Sequence, residues 1–112
     1  MFIIAAEAAK EKPIKHASQL WEILDRKMFE NYNHEPLNDI GVAMFKQHAM
    51  QLFQSYYSFG LIPNKDLLFH IEGTVNSYLG DRFGVPPRVA QKVKVLPRFN
   101  PLNWDYKEGG TA

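Results

Sequence analysis

A chain of 112 residues with 46% hydrophobic and 22% charged side chains has the composition of one globular domain, which excludes a disordered or fibrous chain. It contains no cysteine, so disulfide frameworks, thiolate metal sites and thiol nucleophiles are excluded as well. The net charge is only +1, but residues 1–81 hold seven Lys/Arg against ten Asp/Glu, whereas residues 82–104 hold Arg82, Arg88, Lys92, Lys94 and Arg98 and no acid.

At the N-terminus the apolar run Phe2–Ala6 has no basic residue ahead of it and meets Glu7 at once, unlike a secretory signal. No apolar run approaches the roughly 18 residues of a membrane-spanning helix. The chain is therefore expected to be soluble, in the cytoplasm or within an assembled particle. Ala5 to Lys12 are good helix formers stopped by Pro13, and predict a short first helix.

Ser18 is a suitable N-cap for a main helix to about Asn31, with Leu20, Trp21, Leu24, Met28 and Tyr32 recurring at helical spacing. The stretch "NYNHEPLND" is turn chemistry and ends it. Asn38 or Asp39 can then cap a longer helix to about Phe59. Val42, Phe45, Ala49, Leu52, Phe53, Tyr56 and Phe59 form its apolar stripe, and Gln47, Gln51, Gln54 and Ser58 a polar one. Gly60 fits the position after its end, with Pro63 beyond.

A third helix, capped by Asn64, running to about Gly80 and ended by Gly80 or Gly84, carries Leu68, Ile71, Val75, Tyr78 and Leu79 on one face. Gly73 in its middle costs about 1 kcal/mol relative to alanine, and close approach of a neighbouring helix is the expected compensation. Past Pro86 and Pro87, one helical turn to about Val93 is expected, although the alternation in "KVKVL" would equally suit a strand. Beyond it extended chain is expected, since Pro97 and Pro101 exclude regular helix. The expected architecture is all-α: a small bundle of three principal helices over 1–83 and a basic, proline- and aromatic-rich C-terminal arm over 84–112.

No linear motif marks an active site. His16, His34, His48 and His70 fall on different elements, without the i, i+4 spacing of a helical metal site, and His70 and Glu72 are two apart, on different faces. No nucleophile elbow or phosphate-binding loop occurs. Neither a catalytic residue, a metal nor a cofactor is therefore assigned.

The arm holds the candidate sites. Leu96, Phe99, Leu102, Trp104 and Tyr106 crowd large apolar groups into eleven residues that prolines keep from being helix, so they must cover either the protein's own helices or another chain. Tyr57, off the main stripe of its helix, joins them as an interface candidate if it is exposed. The leading expectation is a non-enzymatic structural or adaptor subunit that binds a protein partner, or further copies of itself, in a larger assembly such as a phage or virus particle. The alternative is a nucleic-acid-binding module, with Arg88, Lys92, Lys94 and Arg98 on phosphates and Phe99 and Trp104 stacking on bases. A second alternative is a small ligand-binding or enzymatic helical bundle, which a polar cavity with two histidines would support.

Overall fold

Four α-helices linked by 3-10 turns make up the described residues, 12–32 and 38–104, of the computed structural model, and no strand occurs among them. They are α1 (Ala17–Lys27), α2 (Asp39–Ser58), α3 (Leu68–Phe83) and α4 (Pro87–Lys92). The protein is thus a small all-α bundle. The predicted helix over Ala5 to Lys12 lies outside the described residues, apart from Lys12, which is not helical.

Most helix ends fall where side chains can satisfy free backbone groups. Asn38 Oδ1 accepts from Gly41 N–H at 2.8 Å and opens α2, as its sequence suggests. At its other end Gly60, at φ 77°, allows Gly60 N–H to reach Tyr57 O and Leu61 N–H to reach Tyr56 O. Asn64 caps a 3-10 turn, Lys65–Leu67, that leads into α3. Gly84, at φ 68°, closes α3, the later of the two glycines that could end it.

The first main helix begins before Ser18. Gln19 Oε1 accepts from His16 N–H at 3.0 Å and from Lys15 N–H at 2.7 Å, so a glutamine reaching back opens α1 at Ala17 and leaves Ser18 exposed in the first turn. It ends at Lys27, and Phe29–Tyr32 continue as a 3-10 turn.

Helix α3 is the hub, packing against α1, α2 and α4. At its heart Phe45 and Tyr78 stack with ring centroids 5.7 Å apart, and Phe83 meets Phe45 at 5.4 Å. Trp21 closes the α1 side edge-on to Tyr78 at 5.1 Å. Val85, Ala90, Phe99 and Trp104 belong to the same buried cluster as Leu20, Phe53 and Ile71, so the arm shares the core of the helices.

The reason expected for Gly73 does not hold. It is exposed, and a Cβ built there would meet nothing within 4 Å. The close approach is at Gly80, where a Cβ would sit 3.3 Å from Val85 O as the chain turns back after α3.

Candidate interaction surface

The arm is held down by its prolines and by two side chains of α2. Pro87 starts α4, whose missing N–H would have been unpartnered in any case. Pro97 and Pro101 each open a 3-10 turn, Pro97–Phe99 and Pro101–Asn103, in place of the extended chain expected. Asn100 Oδ1 accepts from Leu102 N–H at 3.0 Å, and Asn103 Nδ2 donates to Pro97 O at 3.1 Å, folding one turn back on the other. From α2, Gln54 Nε2 donates to Arg98 O at 3.3 Å.

The second clamp is Lys46, which sequence reasoning did not single out. It is wholly buried, and its Nζ donates to Ala90 O at 2.8 Å and Val93 O at 2.7 Å. An ammonium on the last carbonyls of α4 meets the negative end of that helix. Burial pulls the Lys46 amine below its ordinary range; nearby Glu72 opposes this and Lys94 adds to it. The signal was in the heptad: Lys46 lies in line with Val42, Ala49 and Phe53, on the buried side of a helix with just one other charge, Asp39.

The aromatic candidates divide by burial. Phe99 and Trp104 are 5% and 8% exposed and pack into the chain's own core. Tyr57 is 2% exposed, its ring 5.7 Å from that of Trp104, so the exposure that would have made it an interface residue is absent. These three rings face inward because the 3-10 turns lay the arm across α2 and α3. Leu96 and Leu102, in contrast, are 54% and 57% exposed. Tyr106 lies outside the described residues.

The basic segment divides too. Arg82 belongs to the fold: its Nε and Nη2 reach the Asp25 carboxylate at 3.2 and 3.1 Å, its Nη1 reaches Asp81 at 2.7 Å, and its guanidinium lies over Trp21 at 5.5 Å. The Arg82 guanidinium holds the Asp25 carboxyl below its ordinary range, helped by Tyr78, whose hydroxyl donates to Asp25 Oδ1 at 2.7 Å. Burial first, and that hydrogen bond second, push the Tyr78 phenol up. Arg88, Lys92, Lys94 and Arg98 are all exposed and form no ion pair with a described residue; the Arg98 guanidinium sits 4.7 Å from the Phe99 ring. With Phe99 and Trp104 buried, the stacking half of the nucleic-acid alternative is lost.

The three described histidines fall on different elements. His16 precedes α1, His70 is exposed on α3, and His48 is half-buried in a shallow depression with Tyr32, Met44 and Gln51. His34 lies outside the described residues. Among the described residues no group of three His, Asp or Glu is placed to hold a metal ion, and no helix is long and apolar enough to cross a membrane.

Compared with known proteins, the chain matches no family model, and no curated protein or solved structure is significantly similar to it.

Proposed function

We propose that this chain is a non-enzymatic interaction subunit that docks a protein partner through its C-terminal arm. Leu96 and Leu102 supply the apolar contacts, and Lys94 and Arg98 face carboxylates at the edge of the partner's site. One observation carries this reading: two leucines remain more than half exposed on a segment whose aromatic rings are already buried in the core. A preformed arm loses little conformational entropy on docking, because its prolines and its contacts with α2 have ordered it in advance.

Deleting the arm would be a poor test, since it would remove Phe99 and Trp104 from the core. The Leu96→Ser/Leu102→Ser double variant alters only exposed positions. Affinity purification from the native source should lose the specific protein partner with this variant, while the thermal melt stays within a few degrees of wild type. Unchanged recovery of every partner would end this reading.

A second reading rests on Arg88, Lys92, Lys94 and Arg98, exposed and free of ion pairs with described residues. These four cations suit a polyanion held through its phosphates without base recognition. Binding to a labelled duplex or single strand should then fall steeply with salt, and the slope should drop as the cations become alanine. No binding at low salt removes it.

A further inference from the structure

A cleft opens where the chain turns back after α3. Gly84 reverses the chain, and Val85 O comes within 3.3 Å of where a Cβ on Gly80 would stand. Helix α4 then leaves from Pro87, so the second half of α3 forms one wall and Val85, Pro86, Pro87 and Gln91 form the other. The cleft encloses about 560 Å³, within the usual range of ligand sites. Its apolar side is Val85 and the two prolines, whose fixed backbone holds its shape.

The hydrogen-bonding side chains in the cleft are unused by the fold. Asn76, Ser77 and Gln91 line it, and none of their side chains bonds to a described residue. Asn76 is the telling one, because its Oδ1 is shielded from water and still has no donor. A buried acceptor left in that state lowers stability, and asparagine is a poor residue for a helix interior. A half-turn about the last torsion of a carboxamide interchanges its oxygen and nitrogen, so either can be offered to a ligand. Gly73, one turn earlier on the same side of α3, is exposed, and a Cβ built there would meet nothing within 4 Å, which leaves that approach open. Asp81 is the single charged residue lining the cleft, and it is paired with Arg82 Nη1 at 2.7 Å.

We propose that this cleft binds an uncharged, extended stretch of peptide from a partner protein, gripping it by its main chain. A carboxamide carries donor and acceptor in one plane, as a peptide unit does, so Asn76 and Gln91 can each pair with one in both directions. A charged ligand would be desolvated against a lining with no free charge to offset it. A nucleobase needs an aromatic or arginine surface to stack upon, and neither lines the cleft. The five residue steps along α3 from Asn76 to Asp81 cover roughly 7.5 Å, room for two extended residues at about 3.3 Å each. A small aliphatic side chain of the peptide packs on Pro86 and Pro87. None of these residues belongs to the arm's exposed leucines, so the site is additional to the docking surface proposed there.

Titration of the isotope-labelled full chain with N-acetyl-alanyl-alanine methylamide, followed by nuclear magnetic resonance, tests this. The side-chain amide signals of Asn76 and Gln91 and the backbone signals of Gly84 and Val85 should shift together and saturate. The dissociation constant should be about 1 mM, as suits a neutral ligand of this size. Asn76→Ala and Gln91→Ala should each weaken binding about fivefold, the effect of a lost hydrogen-bonding pair. Asn76→Ala should also melt no lower than wild type, because its carboxamide holds nothing in the fold, whereas a structural role would lower the melt. The Leu96→Ser/Leu102→Ser variant should bind the probe as wild type does, which separates this site from the arm. Shifts that do not saturate, binding indifferent to both alanine variants, a lower melt for Asn76→Ala, or propionate or propylammonium moving the same signals as strongly would each overturn the proposal.

Discussion

Replacing Lys46 with methionine tests how the arm is joined to the bundle. Methionine keeps most of the volume of the side chain but cannot donate to Ala90 O or Val93 O. Ala90 is fully buried, so its carbonyl would be left without a partner, at a cost of about 1–3 kcal/mol. Val93 is half-buried, and its carbonyl can recover part of its loss from water. Losing the cation at the end of α4 removes a further favourable term, and this is opposed by no longer burying a charge. The net expectation is a loss of about 2 kcal/mol, or roughly 8 °C in the melting temperature of a domain this size. A pH series sharpens the test. Lys46 has a depressed pKa in the folded protein, so its native form releases its proton first as pH rises. Between that pKa and the ordinary lysine value of 10.5 the unfolded chain binds more protons, and stability attributable to Lys46 grows with pH. The difference between wild type and Lys46→Met, measured by denaturant unfolding, should therefore widen as pH rises towards 10.5. A variant as stable as wild type, with a difference that does not change with pH, would refute the clamp.

Gly73→Ala should stabilise the protein by up to about 1 kcal/mol, because the site is helical, exposed and open, while Gly80→Ala, facing Val85 O at 3.3 Å, should destabilise it; thermal melts of the two variants check both signs. Asp25→Asn should lower stability at neutral pH by about 1 kcal/mol, through the lost charge on Arg82 and Tyr78, a modest figure because the ion pair is partly exposed. The Asp25 pKa is depressed in the folded state, so its contribution is present above the ordinary value of 3.8 and lost as pH falls through the folded one. Acid titrations of the two proteins should therefore converge below about pH 3.8.

The helices were legible because their signals are local. Asn38 and Asn64 act on backbone groups two or three residues away, and the apolar stripe of α2 repeats over five turns. What was not legible depends on residues distant in the chain. Lys46 is clamped to carbonyls 44 and 47 residues further on, and Arg82 is occupied by Asp25, 57 residues back. A count of cations along the sequence could not separate Arg82 from Arg88. Gly73 and Gly80 show the same limit: both are glycines within one helix, and only the return of the chain at Val85 distinguishes them.

The arm shows why composition alone could not decide between self-covering and docking. Both uses call for large apolar groups on a segment that prolines hold out of helix, so both leave the same mark on a sequence. The 3-10 turns separate the side chains that cover the chain's own core from those left exposed. The turn opened by Pro97 sends Phe99 inward and the one opened by Pro101 leads to buried Trp104, while Leu96, ahead of the first turn, and Leu102, within the second, stay outside. Order in the arm then comes from Phe99, Trp104, Gln54 and Lys46, all internal to the chain. A partner docking on Leu96 and Leu102, as proposed, would not need to fold the arm first. Recognition there should accordingly respond to substitution of the leucines without any loss of stability, whereas substitution of Phe99 or Trp104 should disturb both together.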